Sequence, residues 1–173
     1  MTVDNDARFG LVRRFIQLSI LFSISGILLY FIEIGVDKQY VKPLQSYNSI
    51  WLFVNIAGKN SLVFLALLSS VYSGQHIKNI IAYLFALVNG GAVGALIAHF
   101  PTIEYCVLLS PHGFLEMSSY FLLLGAVATT HQEVRGKLPR RLLLLSGVSY
   151  AMLLGAAWIE AFITPFLAVS YLL

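Results

Sequence analysis

The chain has 173 residues, of which 58% are hydrophobic and 11% charged, with 11 Lys and Arg against 8 Asp and Glu, and its mean hydropathy is +0.82. A soluble domain carries about 25% charged residues, so this chain lacks the polar surface of a water-exposed fold, a secreted enzyme or a disordered tail. The net charge of +3 does not point to nucleic acid either, because the basic residues sit beside apolar runs, where they set membrane orientation; the expected class is an all-α integral membrane protein in a single transmembrane domain.

Five spans are predicted, at about 15–34, 61–75, 77–98, 111–130 and 142–167. The first follows Arg8, Arg13 and Arg14; it is too long for a signal-peptide core and reads as a retained helix. The second is short in apolar residues, and its approach, Ile50–Asn60, reads as an amphipathic lead-in, so that the span either tilts or begins as an interfacial helix on the membrane surface. The fourth opens at Ser110-Pro111, which reads as an N-cap followed by proline in the first turn. With the N-terminus inside, eight of the 11 basic residues fall on the cytoplasmic side and three (Lys38, Lys42 and Lys59) outside. That split supports an N-in, C-out orientation in the cell membrane.

Lipid offers no hydrophobic drive between helices, so small residues and polar contacts must join them. Gly90 and Gly94 form a four-spaced pair in the third span, and Gly147, Ala151 and Gly155 a ridge on the fifth. Both read as helix packing, with a homo-oligomer seam as the alternative. The single cysteine, Cys106, leaves no intrachain disulfide.

Glu116 and Glu160 interrupt apolar runs. A carboxylate there costs a few kcal/mol and normally faces the protein interior. Glu116 lies about 8 Å below the outer start of its span and Glu160 about 10 Å below the outer end of its own, which places both at one level. His112 lies four residues before Glu116, and Thr164 four after Glu160, so each pair shares a helix face. Asn89, about 15 Å below the outer end of the third span, can reach the same layer. The expected site is a buried polar cluster of His112, Glu116, Glu160, Asn89 and Thr164.

These residues carry a resemblance. Pro111-His112-Gly113-Phe114-Leu115-Glu116 is similar to the P-H-G-x-x-E signature of the stage II sporulation protein M family. Ile159-Glu160-Ala161-Phe162-Ile163-Thr164-Pro165 is similar to that family's I-E-[AG]-F-x-T-P segment. Asn60 and Asn89-Gly90 match its first half more loosely. The resemblance covers about 55–173 and implies a small multi-pass membrane protein whose fold is like that of ABC-2-type exporter membrane domains. The family's namesake anchors a sporulation complex that remodels peptidoglycan; some relatives accompany circular-bacteriocin maturation, export or immunity.

The resemblance and the lack of a soluble catalytic segment favour a non-enzymatic component, an anchor or scaffold or an exporter-like subunit. No cofactor is called for. The partners implied are the lipid bilayer, other membrane proteins or a separate ATPase, and a second copy of the chain. Two alternatives stay open. One is an intramembrane metal-dependent peptidase or peptide ligase with His112, Glu116 and Glu160 as ligands, although the spacing is not H-E-x-x-H. The other is a proton-coupled export subunit in which the two acids relay protons.

Overall fold

The computed structural model describes residues 2–33, 49–99, 103–130 and 138–165; for 2–8, 33, 99 and 103–110 it describes the backbone alone. Five helices follow in order: α1 Thr2–Glu33, α2 Ser49–Ser69, α3 Gln75–His99, α4 Ile103–Ala128 and α5 Arg140–Trp158. A short 3₁₀ turn, Ser70–Tyr72, extends α2, and a π-helical turn, Ile159–Ile163, extends α5. No strand occurs among the described residues.

Among the described residues, four stretches are long and apolar enough to cross a membrane: Phe9–Ile32, Ser49–Tyr72, Gln75–Ala98 and Arg140–Ile163. Each has 24 residues, about 36 Å of helix against a hydrocarbon core of about 30 Å. On α1, Val12, Ile16, Ile20, Ile24, Ile27 and Phe31 recur every three or four residues, and each is more than half exposed. In water such a stripe would drive aggregation; in a bilayer it is the surface that meets lipid.

Two readings of helix starts are corrected. The lead-in Ile50–Asn60 is not a separate surface helix: α2 is continuous from Ser49. Without water, a bilayer helix satisfies its backbone by extending itself, which outweighs the interruptions at Asn55, Lys59 and Asn60. Likewise α4 begins at Ile103, and Pro111 lies inside it. Ser110-Pro111 is therefore not a helix start, and the positive end of the helix lies about two turns from where the sequence put it. Proline within a helix is tolerated in membranes because neighbouring groups re-satisfy the backbone it frees.

Side-chain contacts fix the direction of each helix. Arg14 meets Tyr83 and Gly26 meets Gly94, so α1 and α3 run parallel. Phe22 packs edge-on against Phe121, ring centroids 5.7 Å apart, and Gly10 faces Thr129, so α4 runs antiparallel to α1. Ser119 meets Ser149 and His112 meets Thr164, so α5 runs antiparallel to α4. Phe53 meets Phe162 and Ser61 meets Tyr150, so α2 is also antiparallel to α5. The helices thus alternate in direction along the chain.

The central helix is α4. α4 contacts each of the other four helices, and Tyr120, Phe121 and Leu123–Ala128 are all buried. A helix shielded from lipid has no need of an apolar surface on every side, so it is the natural place for His112, Glu116 and Ser119. Its far end is closed by side chains from the first turn of α3. Gln75 Nε2 donates to the Ala128 carbonyl at 2.6 Å, and Lys78 Nζ to the Thr130 carbonyl at 2.9 Å. The last carbonyls of a helix have no partner within it, and an ammonium there also complements the negative end of the dipole.

The seam between α1 and α3 is made by glycine. A Cβ on Gly94 would lie 1.9 Å from the Gly26 carbonyl oxygen, and one on Gly90 would lie 2.2 Å from the Phe22 carbonyl oxygen. The backbones touch because these positions carry no side chain. The ridge on α5 behaves differently. A Cβ on Gly147 would meet nothing within 4 Å, Ala151 is exposed, and only Gly155 faces a neighbour, Leu115.

Candidate functional site

The half of the bundle away from the start of α1 holds the polar residues of α4 and α5. Two features of sequence bring them together. On α4, His112, Glu116, Ser119 and Tyr120 recur at helical spacing and face α2, α3 and α5. On α5, Pro165 cannot donate a backbone N–H to the preceding turn. The helix widens there, and the Thr164 N–H reaches the Ile159 carbonyl, a π-type bond, with Glu160 inside the widened turn. Single π turns within α-helices are frequent at functional sites.

The geometry has two layers. In the outer layer Thr164 Oγ1 and His112 Nδ1 are 3.3 Å apart, a hydrogen bond between the two motifs whose donor depends on the imidazole tautomer. His112 is buried. Glu116 and Glu160 are half-buried and lie within electrostatic reach of each other, and Tyr120 lies within reach of Glu116. One layer deeper, Ser119 and Ser149 are fully buried. The Ser149 hydroxyl donates to the Ser119 carbonyl at 2.6 Å, and the two hydroxyl oxygens lie 3.4 Å apart.

α2 closes the site. The Tyr120 hydroxyl donates to the Asn60 carbonyl at 3.4 Å, and Ser61 Oγ and the Tyr150 hydroxyl share a hydrogen bond of 2.9 Å. Tyr120 also packs against Phe85 of α3, ring centroids 5.0 Å apart. No buried side-chain nitrogen or oxygen among the described residues lacks a partner, as a membrane interior demands.

Of the five residues expected to cluster, His112 and Thr164 bond directly, and Glu116 lies within electrostatic reach of Glu160. Asn89 is turned to its own helix, where its amide nitrogen donates to the Phe85 carbonyl at 2.8 Å. The bonds of Ser119 with Ser149, Tyr120 with Asn60 and Ser61 with Tyr150 escaped the sequence reading. Helical spacing does put Ser119 and Tyr120 on the face of His112 and Glu116, and Ser149 on the face of Glu160, but which hydroxyl meets which partner depends on the register between helices.

Among the described residues no group of three His, Cys, Asp or Glu converges to hold a metal ion. Ser119 lies about 10 Å further along the helix from His112, and its partner is Ser149. Chemically, the arrangement joins helices through side-chain hydrogen bonds and holds two carboxyl groups within electrostatic reach. No curated protein and no solved structure matches the chain. The family model described as stage II sporulation protein M matches residues 16–165. The two motifs that meet at His112 and Thr164 both lie within that match, and the chain belongs to the stage II sporulation protein M family.

Proposed function

We propose that the chain is a non-enzymatic component of a cell-membrane assembly, an anchor or exporter-like subunit that holds separately encoded partners. In this reading it crosses the bilayer five times, with the N-terminus inside and the C-terminus outside. The observation that carries the reading is the bond between His112 and Thr164, which joins the two family motifs to each other. A polar bond between two helices is the kind of contact that fixes packing where lipid supplies no hydrophobic drive. Orientation is supported by charge. Arg13, Arg14, Lys78, Arg140 and Arg141 all lie toward the end of the bundle where α1 begins; Lys59, expected outside, falls instead near the middle of the continuous α2 span and marks neither side. α4 has 26 residues, about 39 Å of helix, enough for a fifth crossing.

The test is complementation and partner capture in the same strain. A tagged chain with Glu116→Gln or Glu160→Gln is expected to retain captured membrane partners and part of its function, because an amide keeps the packing and much of the hydrogen bonding. Complete loss of function with unchanged folding and unchanged partners would overturn the reading in favour of chemistry at the acids.

The proximity of Glu116 and Glu160 favours one second reading, a proton-coupled export subunit. Against a path within this chain alone, the half of α4 below the acids is apolar and buried from Phe121 to Val127, except for half-buried Leu122. Proton flux in liposomes containing only this chain would reverse the ranking.

A further inference from the structure

At the opposite end of the bundle, between the first turns of the apolar part of α1 and the last turn of α4, lies a cavity of about 430 Å³. Gly10 and Ala128 give it room, and Arg13, Arg14, Gln17 and Tyr83 present their polar groups to it. These groups are ordered relative to one another. Arg14 donates to the Tyr83 hydroxyl and to Gln17 Oε1, and its guanidinium also lies 5.8 Å from the centre of the Tyr83 ring.

This order decides the chemistry of the cavity. With its oxygen accepting from Arg14, Gln17 has its NH₂ left to donate. With its oxygen accepting from Arg14, Tyr83 has its own O–H left to donate. Arg13 is exposed and has no partner among the described residues. Thr129 also lines the space, but its hydroxyl donates to the Gly125 and Ala126 carbonyls. Among the described residues, no carboxylate lines the cavity. Two guanidinium groups, an amide and a phenol therefore line the cavity as donors, and among the described residues no acidic side chain joins them. The site sits at the point where charged residues give way to Phe15–Ile32, the depth at which lipid headgroups lie.

We infer that this cavity binds a phosphate group. Guanidinium pairs match phosphate oxygens in charge and geometry, and anionic headgroups gather at cationic pockets beside membrane helices. The phosphate comes from an anionic phospholipid headgroup or from a free phosphate. The site is separate from the His112 cluster and does not depend on the scaffold reading.

The experiment uses the full chain in detergent and reads bound ligand by native mass spectrometry. Phosphatidylglycerol, phosphatidylcholine and inorganic phosphate are added separately. The variants are Arg13→Gln, whose side chain supports nothing else among the described residues, and Arg140→Gln, an exposed cation near the same end but outside the cavity. Retained thermal melting confirms that both variants fold. The expected result is a preference for phosphatidylglycerol over phosphatidylcholine that falls about fivefold in Arg13→Gln and is unchanged in Arg140→Gln. Binding of inorganic phosphate with the same dependence on Arg13 would also uphold the site and assign it to a soluble ligand. Equal binding of the two lipids with no phosphate bound, or equal losses in the two variants, would overturn it.

Discussion

Where α1 meets α3, Gly26, Gly90 and Gly94 bring two backbones into contact. Where α4 meets α5, Ser119 and Ser149, and above them His112 and Thr164, join the helices by side-chain hydrogen bonds. Both seams answer the same problem, since lipid tails are as apolar as leucine and cannot squeeze helices together. The glycine seam relies on many close dispersion contacts and tolerates no added atoms. The polar seam relies on a few directional bonds between groups that would otherwise be unsatisfied, and an isosteric loss leaves its packing intact. A helix pair built the first way should fail by steric clash, and one built the second way should weaken gradually.

The largest effect expected is therefore at Gly94. Gly94→Ala places a methyl 1.9 Å from the Gly26 carbonyl oxygen, which is backbone and cannot turn aside. The two helices must part, at a cost of about 3 kcal/mol or more. Gly91→Ala is the matched control, because its methyl would meet the flexible tip of Leu29 at 2.5 Å and not a carbonyl; a loss of about 1 kcal/mol is expected. Denaturant titration in detergent micelles reads both. Similar losses at the two positions would show that the seam yields more than its geometry implies.

The polar seam should respond more mildly. Ser149→Ala removes a fully buried hydroxyl that donates to the Ser119 carbonyl, and a loss of about 1 kcal/mol is expected in the same titration. A double-mutant cycle of His112→Ala and Thr164→Val isolates the outer bond. Its coupling is expected at about 0.6 kcal/mol, with an upper bound near 1.7 kcal/mol. A coupling of zero would leave the two motifs without a direct energetic link, and with it the carrying observation of the proposed function.

The two seams also differ in how much of them can be read from the chain. Helical class and membrane embedding follow from hydropathy, because apolar runs of this length have few other stable forms. Gly90 and Gly94 are visible as a spaced pair, yet nothing in the spacing says that Gly26 and Phe22 of α1 receive them. His112, Glu116, Glu160 and Thr164 stand out because polar groups in apolar runs are costly. The register between helices is not written locally: whether Ser119 meets Ser149, or Asn89 turns to its own helix, depends on how five helices settle together. The start of α4 was misread for a related reason. Ser110-Pro111 is a helix-start signal in water, where a chain can leave its backbone solvated; a bilayer removes that option and the helix runs on through the proline.

The smallest effect expected is at Gly147, a position of the α5 ridge that neither seam uses. A methyl there would meet nothing within 4 Å, and glycine inside a helix is less favourable than alanine by about 0.5–1 kcal/mol. Gly147→Ala should therefore leave stability unchanged or raise it slightly. Gly147→Leu separates the two surroundings open to this face. Against lipid, a leucine is as well accommodated as any neighbour, so thermal stability and apparent mass in detergent should match the parent chain. Against a second copy, a leucine would hold two backbones apart as Gly94→Ala does within the chain, and cross-linked dimer would fall. A fall in dimer with intact folding would make this ridge a second glycine seam, formed between chains.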